Sequence, residues 1–103
     1  MKLIKELVEK IHEELDDARE YAEEAIMYKM EYPELAKTFY DLSTDEMRHM
    51  NMLHTEVTRI IEDYRKKNGA PPEAMMAVYN YMHDKQIKKA HEVKIFWDEY
   101  KER

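Results

Sequence analysis

The chain has no cysteine, one glycine and three prolines among its 103 residues. Without cysteine it forms no disulfide, no thiolate zinc site and no iron–sulfur cluster. No apolar run approaches the roughly 20 residues that a membrane-spanning helix needs. The opening MKLIKELVEK interrupts its apolar residues with charges, which a signal peptide does not do. We therefore expect one soluble, cytoplasmic domain over residues 1–103, with no membrane partner.

A strongly basic face is also missing. Charged residues make up 39% of the chain, and the formal net charge is −6. Proteins that bind nucleic acids normally present clustered positive charge. We therefore expect no nucleic-acid partner.

Two breaks interrupt a sequence that otherwise favours helices. Pro33 suits the first position of a helix and disfavours helical geometry in the residue before it. Gly69, which two prolines follow closely, marks the second break. Apolar residues recur at helical spacing between the breaks. Because short connections join antiparallel neighbours, we predict an all-α fold of three long antiparallel helices, over about 2–31, 34–67 and 72–101. The first two form a hairpin over residues 1–67.

Three ionisable residues lie where the first two helices should be apolar. The first stripe consists of Ile4, Leu7, Ile11, Glu14, Ala18, Tyr21, Ala25 and Tyr28. The second consists of Leu35, Phe39, Leu42, Glu46, His49, Leu53, either Glu56 or Val57, and Ile60. Burying an unpaired carboxylate costs several kcal/mol, so such positions need a proton, a partner or a cation.

The register of the predicted hairpin brings these three residues to one level. Folding at the first break places Glu14 opposite residue 50, within one helical turn of Glu46 and His49. Residues three apart share a helix face, so the second helix can direct an oxygen and an imidazole nitrogen at one point. This donor pair suits iron, manganese or zinc. Glu9 and His12 have the same spacing but lie off the stripe, as a solvated pair would.

The predicted ligand set is half of a known arrangement. Four-helix di-metal proteins use a Glu from each of two helices and a Glu-x-x-His pair from each of the other two. In the third helix, His83 and His91 lack a Glu three residues earlier. Two copies of the hairpin would supply the complete set across a self-complementary interface. We therefore predict a homodimer or higher homo-oligomer, whose four-helix core is completed by dimerisation.

Residues 13–54 also resemble a known family. Their sequence, EELDDAREYAEEAIMYKMEYPELAKTFYDLSTDEMRHMNMLH, resembles the first two helices of the ferritin-like superfamily, particularly its rubrerythrin-like branch. The resemblance rests on a Glu before Ala18 and Tyr21, and on the later Glu46 and His49. It covers about two fifths of the chain.

The chain is more similar to the half-ferritins stored inside encapsulin shells, in which two short chains complete one di-iron centre, than to family members that hold a complete site in one four-helix chain. The resemblance implies that Glu14, Glu46 and His49 of each chain are metal ligands and that each dimer site holds two iron ions. It also implies iron handling with a ferroxidase-type oxidoreductase activity. Residues 71–103 match nothing in the family, so the third helix serves either packing or oligomerisation.

Other interpretations of the same residues remain open. The chain could be a helical interaction or assembly module for an unidentified protein partner, with a vestigial or purely structural polar seam. Asp17 and Tyr21 are candidates for supporting the ligands, although surface and packing roles are the simpler interpretation. We expect Trp97 to anchor the third helix against the bundle or a partner chain. His12 and His54 could approach each other across the hairpin, but we expect both in solvated or accessory positions.

Overall fold

The computed structural model describes residues 2–102, which form three α-helices. These are α1 (Lys2–Tyr28), α2 (Pro33–Asn68) and α3 (Glu73–Glu102). No strand occurs between residues 2 and 102. The prediction of an all-α fold with three long helices is therefore confirmed. None of the helices over these residues combines the length and apolar content needed to cross a membrane.

The first turn is slightly longer than the sequence predicts. Helix α1 ends at Tyr28 instead of residue 31. The backbone N–H of Tyr32 donates to the carbonyl of Tyr28 at 2.8 Å, which closes the last turn. Pro33 then begins α2, where its fixed φ is helical and its missing N–H costs nothing.

The second turn depends on the single glycine. Gly69 has a φ of +78°, a backbone conformation that side chains disfavour, and its N–H donates to the carbonyl of Arg65 at 3.0 Å. Two prolines follow before α3 begins. The chain therefore reverses direction within a few residues, and α3 returns along the hairpin.

The core runs along all three helices, but on α1 it is rotated from the predicted stripe. Leu15 is fully buried, whereas the neighbouring Glu14 is only partly buried. The reason is that α3 packs against the side of α1 that carries Leu15 and not against the side that carries Glu14. On α2, Val57 is buried and Glu56 is exposed, which decides between the two alternatives. The buried apolar cluster consists of Ile4, Val8, Ile11, Leu15, Ala18, Met47, Val57, Ile61 and Val93.

A hydrogen-bonded bridge fastens α3 to both helices of the hairpin. The Ser43 hydroxyl on α2 donates to the backbone carbonyl of Ala18 on α1 at 2.6 Å. The indole N–H of Trp97 on α3 donates to the same hydroxyl at 2.8 Å. Ser43 is fully buried, so this bridge satisfies polar groups that would otherwise cost free energy. Trp97 anchors α3 as expected.

Only one face of the α1–α2 hairpin is covered by α3. Lys89 of α3 pairs with Asp16 on α1 at 2.8 Å, and Tyr100 of α3 stacks on Tyr40 of α2 with ring centroids 4.9 Å apart. Successive residues of a helix lie about 100° apart around its axis. The side chains of Glu14 on α1 and of Glu46 and His49 on α2 therefore point to the opposite side of the hairpin. We call that side the open face; it carries the half-buried residues Leu7, Glu14, Tyr21, Tyr28, Phe39, Leu42, Glu46, His49 and Leu53.

Candidate metal centre

The three ionisable residues predicted to share a level do meet in the structure. Glu14 comes from α1, and Glu46 and His49 come from successive turns of α2. One potential ligand atom from each lies within 4.8 Å of the others. We call this group the Glu–Glu–His cluster. Within residues 2–102 it is the one group of three or more such side chains with this geometry.

Within the cluster, the imidazole of His49 lies near both carboxylates but makes no close contact with either. His49 Nδ1 lies 3.5 Å from Glu14 Oε2 and 3.8 Å from Glu46 Oε2. The exposed side-chain fractions are 27% for Glu14, 20% for Glu46 and 43% for His49. The cluster is therefore at the rim of the core, shielded by the hairpin but reachable from the open face.

The second glutamate is shifted towards its protonated form. The pKa of Glu46 is raised from 4.5 to about 7, chiefly because its carboxyl hydrogen-bonds to the Glu14 carboxylate. Burial and the negative charge of Glu14 act in the same direction, and the charge of His49 opposes them. Two carboxylates this close cannot both stay ionised easily without a counter-charge. A proton or a cation can provide it.

One carboxylate oxygen of the cluster is buried without a hydrogen bond. Glu14 Oε2 is buried from solvent and has no hydrogen-bond partner among the residues that the structure describes. Such an atom normally costs free energy unless an ion or water satisfies it. Two carboxylates and one imidazole are the donors that first-row divalent cations accept, so the residues present fit a metal ion.

The two candidate supporting residues differ. Asp17 is exposed, but its negative charge is among the causes that raise the pKa of Glu46. It therefore acts on the cluster electrostatically from the flank. Tyr21 is half-buried and stacks on Phe39, with ring centroids 6.1 Å apart and planes 22° from parallel. Packing explains its position.

The second Glu-x-x-His pair does not form a comparable site. Glu9 is exposed, as predicted. His12 is half-buried rather than solvated, because α3 packs beside it. The pKa of His12 is lowered, first by burial and then by the nearby charge of Lys89. Position in the bundle therefore separates this pair from the one on the open face.

Two clefts among the described residues lie away from the cluster. An apolar cleft of about 510 Å³ between α1 and α3 is lined by residues that include Ile4, Val8 and Met82. A smaller cleft of about 140 Å³ lies between α2 and α3, beside His54 and His83. The Glu–Glu–His cluster lies on the open surface instead. A small ion, which needs converging ligands more than a cavity, suits it better than an organic ligand.

Sequence reasoning missed a contact between two histidines. His54, for which the sequence predicts a solvated or accessory position, lies with its Nε2 3.1 Å from the Nε2 of His83. The register of α2 against α3 across the second turn brings the two to one level, as it does Ser43 and Trp97. The short second turn indicates this level, but the sequence of α3 does not indicate which of its faces packs, so the contact could not be predicted.

Comparisons with protein-family models, with curated proteins and with solved structures find no match for this chain. The geometry of its own residues therefore carries the functional argument.

Proposed function

We propose that this chain is a carboxylate metal protein of the ferritin-like type. In the proposal, Glu14, Glu46 and His49 of two chains together hold two metal ions, with iron as the resident ion and manganese or zinc as alternatives. The observation that carries it is the convergence of two carboxylates and an imidazole, in which one buried carboxylate oxygen has no hydrogen-bond partner among residues 2–102. A cation would satisfy that oxygen and supply the missing positive charge.

The requirement for two chains follows from the count of ligands and their position. One chain offers two carboxylates and one imidazole, whereas a di-metal site in a four-helix bundle uses four carboxylates and two imidazoles. The cluster lies on the open face, which α3 leaves uncovered. A two-fold axis beside that face would double the set and make the interface self-complementary. The aromatic and aliphatic side chains of the open face would become its apolar surround.

The chemistry of the site would come from the bound metal. Two iron ions held in this way would supply oxidation of Fe(II) by O2 or peroxide, the activity that the family resemblance implies. The residues of this chain would bind the ions, fix their separation and limit access of water. Glu46 would give up its proton on metal binding, because a carboxylate must be deprotonated to act as a ligand.

Metal content and thermal stability test the metal proposal together. We expect the untagged chain to bind Fe(II) or Mn(II) and to melt at a higher temperature with metal; at about 100 times the Kd, the gain is about 2.7 kcal/mol. The Glu46→Ala variant should lose both effects. Glu9→Ala, which alters the exposed Glu of the other Glu-x-x-His pair, should keep them. A wild-type chain that stays metal-free in Fe(II), Mn(II) and Zn(II), with unchanged melting, would sink the proposal.

Catalysis needs a separate experiment, because a scaffold could retain the ligands without oxidising iron. Fe(II) oxidation under air should be faster with the wild-type chain than with the same concentration of Glu46→Ala. If the wild type binds iron yet oxidises it no faster than buffer does, the chain is a metal-binding scaffold and the oxidoreductase part of the proposal is wrong.

One observation favours a rival function. The side chain of His49 is 43% exposed, so solvent can stabilise the cluster in part without a metal. On this alternative the chain is an interaction or assembly module, and the polar seam is structural. The double substitution Glu46→Leu and His49→Leu distinguishes the two, because leucine in a structural polar seam is neutral or stabilising. A metal protein would instead lose its ion and, with it, its metal-dependent association.

A further inference from the structure

A second group of converging ligand atoms lies on the other side of α2, between α2 and α3. His54 and His83 are both partly buried, and their Nε2 atoms are 3.1 Å apart. The ring centroids are 5.1 Å apart and the planes differ by 18°. Tyr79 stacks on His83 with ring centroids 5.7 Å apart, which limits how that ring can turn. The two nitrogens therefore face each other in a constrained setting.

The pair is held together by a single proton. Two Nε2 atoms at hydrogen-bond distance require one ring to donate and the other to accept, so at least one ring must be neutral. The pKa of His54 is lowered, first by burial and then by the charge of His83. A neutral imidazole carries a lone pair on one ring nitrogen, and this is the form that binds metals once the hydrogen bond is broken.

The cleft beside the two histidines has room for a small ligand and is lined by a buried polar group that lacks a hydrogen bond. A cleft of about 140 Å³ is lined by both histidines, by Met50 and by Gln86, among others. This volume exceeds the roughly 10–15 Å³ of cavity that one water molecule needs. Gln86 is only 5% exposed, and its side-chain nitrogen has no hydrogen-bond partner within the described part of the chain. A water molecule in the cleft would accept the hydrogen bond that this nitrogen lacks.

We propose that His54 and His83 form a second metal site, distinct from the Glu–Glu–His cluster, for a late first-row divalent cation such as Zn²⁺ or Cu²⁺. Two nitrogens bound at about 2.0–2.1 Å to a tetrahedral ion lie roughly 3.3 Å apart. The observed 3.1 Å is close to that value. Loading requires the donating ring to move its proton to Nδ1 and both rings to pivot so that their lone pairs meet at the ion. Water completes the coordination in the cleft beside Gln86 and Met50.

The two sites differ in the ions they favour. The Glu–Glu–His cluster is rich in carboxylate oxygen, which suits iron and manganese. The histidine site offers imidazole nitrogens with a thioether nearby, and imidazole suits zinc and copper. His49 and His54 are five residues apart on α2, which places them about 140° apart around the helix. Each site can therefore be removed without touching the other.

The test uses an untagged, full-length chain carrying Glu46→Ala and His49→Ala, so that the first cluster is absent. Titration with Zn²⁺ alone should show one equivalent bound per chain. Adding His83→Asn should raise the Kd for Zn²⁺ at least about 100-fold. This is a larger effect than the loss of an outer-sphere partner typically has. Adding His91→Asn, at an exposed histidine of the same helix, should leave Kd unchanged. No binding by the starting chain, or equal binding by the His83→Asn chain, overturns the proposal.

A second measurement does not depend on how substitutions affect packing between α2 and α3. With Cu²⁺ alone, electron paramagnetic resonance of the chain that lacks the first cluster should show hyperfine splitting from two imidazole nitrogens. A spectrum with one nitrogen or none contradicts the site even if His83→Asn fails to fold. Because the background already lacks Glu46 and His49, either negative result counts against the histidine site alone and leaves the first metal proposal standing.

Discussion

The two faces of the α1–α2 hairpin differ in how their polar groups are paired. On the face that α3 covers, the Ser43 hydroxyl joins Ala18 to Trp97, and His54 meets His83. These groups find partners inside the chain. On the open face, two carboxylates and an imidazole converge, and one buried oxygen of Glu14 has no hydrogen-bond partner among the described residues, with His49 Nδ1 3.5 Å away.

The two faces differ in the charge of their polar groups. The covered face joins its helices through neutral hydrogen bonds, although the side-chain nitrogens of His12 and Gln86 on that side have no hydrogen-bond partner within the described residues. The open face has a concentration of negative charge that a proton on Glu46 only partly offsets. We infer that the covered face is built for stability and the open face for a cation and a second chain. The following predictions test that contrast.

The largest effect should come from a core residue of the covered side. Leu15 is fully buried, so Leu15→Ala should lower the free energy of unfolding by about 2–5 kcal/mol. Leu42, half-buried on the open face, should lose less than about 1.5 kcal/mol on change to Ala in the metal-free chain. Urea denaturation measures both. A loss at Leu42 that grows with protein concentration would show that a partner covers the open face even without metal.

The next effect should come from the hydrogen-bonded bridge. Ser43→Ala removes the acceptor of the Trp97 indole N–H and the donor to the Ala18 carbonyl, so we expect a loss of about 1–3 kcal/mol. The matched control is Thr44→Ala, because the Thr44 hydroxyl bonds to a carbonyl of its own helix and should matter by less than about 0.5 kcal/mol. Equal losses would mean that the bridge does not fasten α3.

The open face should give the metal-free chain an unusual pH dependence. A carboxyl whose pKa is raised in the folded state binds a proton more tightly there than in the unfolded chain. The contribution of Glu46 to the free energy of unfolding is therefore full below pH 4.5 and is lost as the pH rises to about 7. Solvent screening should reduce the change to the order of 1 kcal/mol. Glu46→Gln should flatten this part of the profile, measured by urea melts with a chelator present.

The covered face should give a smaller dependence of opposite sign. The pKa of His54 is lowered from 6.5 in the folded chain, so the unfolded chain takes up a proton first as the pH falls. Stability from this group is full above pH 6.5 and is lost below it. His54→Gln should remove that loss, whereas His91→Gln should not. If neither variant changes the profile, desolvation of His54 contributes nothing measurable to stability.

The sequence predicted the first cluster because its evidence was local. A short turn at Pro33 fixes the register of α1 against α2, and three ionisable residues in apolar stripes stand out against that register. The end of α1 was placed three residues late, since the hydrogen bond from Tyr32 to Tyr28 that closes the turn has no sequence signature.

The position of α3 was harder to predict. Its apolar residues are scattered around the helix, with Val78, Tyr81, Ile87 and Ile95 all exposed, so periodicity does not reveal which face packs. Without that orientation, neither the rotation of the core on α1 towards Leu15 nor the meeting of His54 with His83 could be derived. Tertiary packing decided both.

The most direct test of the central claim is a crystal structure grown with Fe(II), with anomalous scattering measured at the iron edge. Our account predicts two iron peaks at a two-fold axis between open faces, each ligated by Glu14, Glu46 and His49 from the two chains. Crystals whose open faces carry no iron, or whose iron is ligated by a single chain, would contradict it.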